Sequence, residues 1–227
     1  MGWSAKEYFI GFAVASGKLQ TGRVFLLLFF QKKKCFPPFF AGGHGAAGMR
    51  PTNDPLVAAA GLLGLILASN QPFYPLYVWL LTGEGAVRAS VVLAALPLFA
   101  AVPWVARRWS VVGRAMLPVV GIVNTVVTVV ALGAEAGVAI LLVPCAALAA
   151  MLFRERERLV MLGIVALAVA AWWLVDGWLV DGLPGGHFSA EGYAALRRMN
   201  AISAIALCGL IGWITPRGAL PSPPPRA

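Results

Sequence analysis

Six apolar runs separated by short loops dominate this sequence. Each run is 17 to 26 residues long, which is the length that an α-helix needs to cross a hydrocarbon core of about 30 Å. The runs are Leu56–Leu81, Ala89–Val105, Ala115–Leu132, Ala136–Phe153, Leu159–Val175 and Ala190–Ile214. This pattern predicts an all-α fold, a polytopic bundle of six transmembrane helices over residues 55–215.

The positive charges lie on one side of this predicted bundle. If the N-terminal arm is cytoplasmic, every Lys and Arg among the 18 lies on the cytoplasmic side except Arg88, Arg197 and Arg198. This distribution follows the positive-inside rule, so we expect both termini in the cytoplasm and the bundle in a bacterial cytoplasmic (inner) membrane. The net charge of +9 comes largely from residues near membrane surfaces, so it predicts contact with lipid headgroups rather than with nucleic acid.

The flanking segments differ from the bundle in composition. Residues 1–54 form an arm in which Lys32, Lys33 and Lys34 follow an apolar run that is too short to span a membrane. An interfacial helix that places these lysines at the membrane surface and a flexible leader both fit this arm. Residues 216–227 contain five prolines, which indicates a non-helical cytoplasmic tail.

Polar residues are scarce inside the predicted spans. Asn124 lies in the middle of the third run, and Thr128 lies one turn further along on the same face. Either Asn124 forms a hydrogen bond that packs two helices together, or it lines a ligand pocket. Pro72, Pro97, Pro103, Pro118 and Pro144 are candidate bend points of the spans.

The loop after the fifth run collects several groups that bind metals or protons. Asp176, Asp181 and His187 lie there, and Glu191 follows. Such groups fit a divalent cation or proton transfer, but acidic residues are also common in an external loop. Because Gly185 and Gly186 do not hold His187 in place, we expect no metal site.

Motifs of known enzymes are missing from the sequence. It contains no HExxH, no Walker A loop, no G-x-S-x-G elbow and no Cys–His pair. No predicted span carries a deep charged residue or a mid-membrane histidine. We therefore expect no enzymatic activity, no catalytic residues and no cofactor.

The sixth run carries small residues at a regular spacing. Ala204, Cys208 and Gly212 recur every four residues, which lets another helix approach closely. The pattern predicts a contact face, either within the bundle or with a partner protein.

Residues 121–175 carry a resemblance to a known group of membrane domains. Its features are Asn124 in the third helix, a short turn with Glu135 and Gly137, a fourth helix with Pro144, and the turn Phe153–Arg156 before an apolar fifth helix. From about Pro55 to Ile214 the chain resembles the six-helix membrane anchors of bacterial class III adenylyl cyclases and of sensor histidine kinases of the quorum-sensing type. The resemblance implies a bundle that perceives a hydrophobic ligand, with Asn124, Glu135 and the loop Asp176–His187 at the sensing end.

Two functions are compatible with these features. In the anchors that the chain resembles, the last helix leads into a catalytic domain, whereas this sequence carries no cyclase or kinase domain. The first hypothesis is therefore a sensor or receptor-like module that binds a lipid-like ligand and acts through a separate effector protein. The alternative is a non-catalytic accessory subunit of a larger respiratory or photosynthetic membrane complex, which would dock through Ala204–Gly212.

Overall fold

A computed structural model describes residues 54–179 and 188–215 of the chain. These residues belong to the second of two compact units, residues 50–227. Every regular element in the described ranges is a helix and none is a strand, so the predicted all-α class is confirmed for them. Lys32, Lys33, Lys34, Asp181 and His187 lie outside the described residues, as do the arm up to residue 53 and the tail from residue 216.

The described helices follow the predicted apolar runs, with several interruptions. The α-helices are α1 (Pro55–Asn70), α2 (Phe73–Thr82), α3 (Ala86–Ala89), α4 (Leu96–Arg108), α5 (Ser110–Leu132), α6 (Leu142–Leu152), α7 (Arg158–Leu174) and α8 (Ala190–Ile214). Short 3₁₀ elements cover Ser90–Ala95, Ala134–Ala136, Val138–Leu141 and Glu155–Glu157, and a π-helical turn covers Val175–Leu179.

Four described stretches are long and apolar enough to cross a membrane. They are Ala86–Arg108, Ser110–Leu132, Glu155–Gly177 and Ala190–Ile214. Helices α1 and α2 make a fifth if they count as one span with a 43° bend. The stretch Val138–Leu152, hereafter the short segment, is apolar but falls below the length of an ordinary span. The described residues thus indicate a membrane protein, whereas the count of six crossings is not confirmed.

Prolines account for three of the places where the helices depart from α geometry. A proline has no N–H, and its ring crowds the carbonyl four residues earlier. The bend between α1 and α2 lies at Pro72, and the 3₁₀ elements Ser90–Ala95 and Val138–Leu141 come just before Pro97 and Pro144. Pro103 and Pro118, in contrast, lie inside continuous α-helix. Three of the five predicted bend points therefore coincide with a bend or a 3₁₀ element.

Loops that are distant in sequence meet at the two ends of the described bundle. At one end, the Arg114 end, Asp54 precedes α1 and accepts hydrogen bonds from Ser110 of α5 and from Arg154, which follows α6. At the other end, the Asn200 end, Asn200 of α8 is hydrogen-bonded to Tyr74 of α2 and to the turn between α5 and the short segment. Because Ser110 at the start of α5 is hydrogen-bonded to Asp54 just before α1, these two helices start at the same level of the bundle.

The buried apolar side chains form two clusters, one towards each end. The cluster nearer the Arg114 end joins α1, α4, α5, α6, α7 and α8 through residues that include Leu63, Phe99, Leu117, Leu148, Ile164 and Ile211. The cluster nearer the Asn200 end includes Val78, Leu132, Val138, Val175, Phe188 and Leu196. The α6 helix contributes to the first cluster with Leu142, Cys145, Leu148, Ala149 and Leu152, so the short segment lies largely inside the bundle.

Close approach of α1 and α4 depends on a glycine. A Cβ atom added at Gly64 would lie 2.8 Å from Cβ of Val102 and 2.9 Å from the carbonyl oxygen of Phe99. The carbonyl oxygen belongs to the backbone of α4, so it cannot give way by a rotamer change. At Gly61, one turn earlier, the nearest atom would be Cβ of Pro103 at 3.4 Å, which is an ordinary contact.

We expect Gly64→Ala to destabilise the protein by about 1–3 kcal/mol, because overpacking forces α1 and α4 apart. Gly61→Ala is the matched control and should leave the stability nearly unchanged. The measurement is the midpoint of thermal unfolding in mild detergent. Equal midpoints for the two variants would show that the α1–α4 contact is looser than described.

Candidate functional site

Polar side chains, two of them buried, converge on the two ends of the short segment. Nη1 of Arg114 donates a hydrogen bond to the carbonyl of Leu152, the last residue of the segment, at 2.6 Å. At the other end, the turn before the segment offers two carbonyls, of which Glu135 accepts from Arg197 at 3.0 Å and Ala136 accepts from Asn200 at 2.9 Å. The donors come from α5 and α8, so both helices are fixed to the segment between them.

Arg114 is the centre of the first cluster. Its side chain is only 1% exposed, and it makes a two-pronged ion pair with Glu157, with both N–O distances at 2.8 Å. Nε of Arg114 also lies 3.2 Å from the Ser110 carbonyl and 3.3 Å from the Ser110 hydroxyl. The guanidinium carbon lies 5.4 Å from the centre of the Phe153 ring. One side chain thus joins α5 to the end of α6 and to the turn before α7.

The hydrogen bonds around Arg114 close into a ring of five residues. Glu157 accepts from the backbone N–H of Arg154 at 2.9 Å, and Nη2 of Arg154 pairs with Asp54 at 3.0 Å. Asp54 in turn accepts from the Ser110 hydroxyl at 3.5 Å and caps α1 at the N–H of Leu56. The ring, Asp54–Ser110–Arg114–Glu157–Arg154, carries two positive and two negative side chains. The ring therefore joins the start of α1, the first turns of α5 and the turn between α6 and α7, and its side-chain charges sum to zero.

Glu157 lies in the charged run Glu155–Arg158, ahead of the apolar part of α7. Two hydrogen bonds from the Arg114 guanidinium stabilise the ionised form of the Glu157 carboxyl. The carboxylate is therefore ionised at neutral pH, and the pair with Arg114 is a true ion pair.

We expect Arg114→Met to destabilise the protein by about 3 kcal/mol, the low end for breaking a buried pair, because Glu157 keeps some exposure. Arg156→Met removes an exposed arginine of the same turn and serves as the control. The double variant Arg114→Met, Glu157→Met should recover part of the loss, since no unpaired charge is then left. Thermal unfolding in detergent measures all three. Equal losses for Arg114→Met and Arg156→Met would contradict the role of the ring.

Asn200 is the centre of the second cluster. It is fully buried, its Nδ2 donates to the Ala136 carbonyl, and its Oδ1 accepts from the Tyr74 hydroxyl at 3.3 Å. The carbonyls of the turn point towards α8 because Gly133 and Gly137 adopt φ of +89° and +68°, a region that other residues rarely enter. Gly137 also packs against Arg197, since an added Cβ would lie 2.8 Å from Cγ of that arginine.

We expect Asn200→Ala to destabilise the protein by about 1–2 kcal/mol, because it leaves the Ala136 carbonyl without its donor in a region that lacks water. Ser203→Ala is the control, since the Ser203 hydroxyl bonds only to Met199 within the same helix. The shift of the unfolding midpoint in detergent tests this difference. A loss of stability no larger than that of Ser203→Ala would mean that the Ala136 carbonyl finds another hydrogen-bond donor.

The predicted pair Asn124 and Thr128 lies in α5, with Thr128 buried and Asn124 half-buried. The Thr128 hydroxyl donates to the Asn124 carbonyl at 2.6 Å, a local bond within the helix. Among the described residues, the side chain of Asn124 makes no hydrogen bond to another helix. The interhelical hydrogen bonds expected of a mid-membrane asparagine are made by Asn200 instead.

The predicted acidic residues do not come together in the described part of the chain. The Glu135 side chain is exposed, and only its carbonyl takes part in the Asn200 cluster. Asp176 is exposed on the π-helical turn, and Glu191 is exposed in the first turn of α8. The described residues contain no group of three His, Cys, Asp or Glu side chains that would hold a metal ion.

The predicted contact face of α8 is divided by the structure. Ala204 is buried within the chain, and Cys208 is half-buried. A Cβ added at Gly212 would meet no described atom within 4 Å, and the same holds for Gly209. The end of the stripe nearer Gly212 therefore faces outward.

Asn200 and Arg114 are the central residues of these clusters that the sequence reasoning missed. A signal for Asn200 was present, since it continues the four-residue spacing of Ala204, Cys208 and Gly212 by one step. Arg114 directly precedes an apolar run, and such a position is by itself typical of a charge at the membrane surface. Its partner Glu157 lies in a charged run that is typical of a solvated loop, whereas the structure brings the two together.

Comparisons with protein-family models, with curated proteins and with solved structures found no match to this chain. The resemblance to cyclase and kinase membrane anchors therefore rests on the sequence features alone.

Proposed function

We propose that the chain crosses a bacterial cytoplasmic membrane six times, with the short segment as the fourth crossing and the Arg114 end in the cytoplasm. A helical rise of about 1.5 Å per residue in α6 and about 2.0 Å in Val138–Leu141 gives the segment a length of about 25 Å. This is less than the hydrocarbon core of about 30 Å. The polar donors at both ends support the proposal, because they satisfy backbone carbonyls that such a short crossing leaves inside the membrane.

The function we propose for this bundle is that of a sensor or receptor-like module that perceives a hydrophobic, lipid-like ligand and acts through a separate effector protein. The observation that carries the proposal is the contrast between the two ends. At the Arg114 end, α4 and α5 are continuous α-helices, and a closed ring that contains two ion pairs joins α5 to the start of α1 and to the 3₁₀ turn Glu155–Glu157. Towards the Asn200 end lie the 43° bend, two 3₁₀ elements before prolines, and the π-helical turn.

Such a contrast fits a module that changes shape on one side only. Elements with 3₁₀ or π geometry and proline bends are common at hinges, because their hydrogen bonds are weaker or fewer than those of an α-helix. A ligand shifts a conformational equilibrium only if it binds one arrangement better than the other. The half of the bundle towards the Asn200 end can adopt alternative arrangements, because its helices are irregular. The ring of five residues keeps the Arg114 end in one arrangement.

The experiment is purification of the full-length protein from its native membrane in mild detergent, followed by mass spectrometry of the proteins and lipids that accompany it. The sensor function predicts one effector, such as a kinase or a cyclase, or a retained lipid-like molecule. Asn124→Ala should lower retention of the molecule without loss of folding, whereas Thr125→Ala, which removes only a bond within α5, should not. Recovery of a stoichiometric set of membrane subunits would contradict the sensor function.

A second candidate function, an accessory subunit of a larger membrane complex, is supported by one face of α8. Gly209 and Gly212 have open space beyond them, and the adjacent Trp213 is 85% exposed. Small residues beside a large exposed side chain allow another transmembrane helix to pack closely.

If the chain docks through this face, Gly212→Leu should release it from its complex, because the added side chain fills the space that the partner helix needs. Gly163→Leu is the matched control, since Gly163 of α7 also has no described neighbour within 4 Å of an added Cβ. The measurement is the amount of partner protein that co-purifies per chain. Full recovery of the partner with Gly212→Leu would exclude this face as the docking site.

A further inference from the structure

The side chain of Gln71 is a polar group that the two clusters do not use. Gln71 lies at the bend between α1 and α2 and is only 9% exposed. The Gln71 backbone is fully used in hydrogen bonds around the bend. Its N–H donates to the carbonyls of Leu67 and Ala68, and its carbonyl accepts from the N–H of Tyr74. The side-chain amide, in contrast, has no hydrogen-bond partner among the described residues.

This amide lies at the same level of the bundle as Asn124. Helices α1 and α5 start together, because Asp54 and Ser110 are hydrogen-bonded there. Sixteen residues separate Gln71 from the start of α1, and fourteen separate Asn124 from the start of α5. At about 1.5 Å per residue, the two amides lie roughly 24 Å and 21 Å from that end, inside the outer half of a 30 Å core.

Both polar and apolar side chains are found at the level of the bundle where Gln71 and Asn124 lie. Tyr74 follows Gln71 by one turn, and its hydroxyl is bonded to Asn200. The 3₁₀ element Ser90–Ala95 packs against both α2 and α5. Leu76 and Leu80 of α2 and Leu93 of the 3₁₀ element are exposed, so the elements that follow the bend and pack against α2 present apolar surface outward.

A side-chain amide without a hydrogen-bond partner raises the free energy of the folded protein at this depth, because lipid tails offer neither donors nor acceptors. No fully enclosed polar atom of the described side chains lacks a partner, so the Gln71 amide keeps an opening to the surface. A molecule that enters from the lipid can therefore reach it. A charged head group would lose its hydration there, whereas a hydroxyl or carbonyl would gain a hydrogen bond.

We infer that Gln71, together with Asn124, forms the polar end of a binding site for an uncharged lipid-like molecule that carries a hydroxyl or carbonyl head group. The inference rests on the proposed sensor function and adds the residue that recognises the ligand. The apolar chain of the molecule lies against Leu76, Leu80 and Leu93. Binding at the bend favours the arrangement of α1 and α2 in which the Gln71 amide reaches the head group.

The test uses the full-length protein in phosphatidylcholine nanodiscs and a photoreactive diazirine derivative of hexadecanol. A diazirine hydrocarbon without the hydroxyl is the control probe. Peptide mapping by mass spectrometry should find labelling by the alcohol probe concentrated at the α1–α2 bend and at Ser90–Ala95. Unlabelled hexadecanol should compete with this labelling, and the hydrocarbon probe should label the protein diffusely.

Gln71→Leu should reduce the competed labelling about tenfold, the effect of losing one hydrogen bond in a water-poor site. Asn124→Leu is a second, independent variant with an effect in the same direction. Ser69→Ala removes an exposed hydroxyl close to the bend and should leave the labelling unchanged. Unfolding midpoints establish that each variant is folded.

Labelling that hexadecanol does not compete for, or that persists in both folded variants, would overturn the inference. The outcome also separates this site from the proposed function. A chain that co-purifies with a kinase or cyclase but shows no competed labelling keeps the sensor function and loses the site. A chain that co-purifies in a multisubunit complex but shows competed labelling keeps the site and loses the sensor function.

Discussion

The backbone carbonyls at the ends of the short segment impose the main constraint on this bundle. The last turn of a helix, here that of α6 and of the 3₁₀ element Ala134–Ala136 before the segment, leaves carbonyls without an internal donor, and hydrocarbon contains no water to replace it. Arg114 supplies a donor at Leu152, and Asn200 supplies one at Ala136. Because these donors belong to α5 and α8, they also fix the positions of these two helices along the short segment.

The two ends meet this requirement with different chemistry, and the difference sets their stiffness. At the Arg114 end a guanidinium bonds a carboxylate with two prongs, and a second ion pair closes the ring. Lysine has three donors on one nitrogen and could not span the carboxylate, the Leu152 carbonyl and Ser110 at once. At the Asn200 end, the buried bonds come from the neutral Asn200 amide and Tyr74 hydroxyl, Arg197 donates only from an exposed position, and the neighbouring helices are irregular. A change in helix arrangement therefore requires less free energy at the Asn200 end than at the Arg114 end.

The sequence predicted the position of nearly every helix, because apolar length and proline position are local properties. Leu142–Leu152 and Ser90–Ala95 show the limit of such reasoning. Both lie in runs that are apolar enough for a regular span, yet Pro144 and Pro97 convert the preceding residues to 3₁₀ geometry. The pairing of Arg114 with Glu157 was not predictable, since 43 residues separate them and each has a satisfactory place at a membrane surface by itself.

The same reasoning explains why Asn124 attracted attention in the sequence while Asn200 provides the observed contact. Asn124 stands alone in a run of valines, whereas Asn200 follows Arg197 and Arg198 and resembles the polar start of a helix. Once α8 is placed, Asn200 is fully buried and its amide makes one hydrogen bond to each of two other elements. Asn124, Gln71 and the half-buried Asn70 are then the described amides whose side chains make no hydrogen bond within the described chain. An amide that the fold leaves unused is available for a ligand, whereas one that joins helices is not, and this difference separates the candidate binding residues from the structural ones.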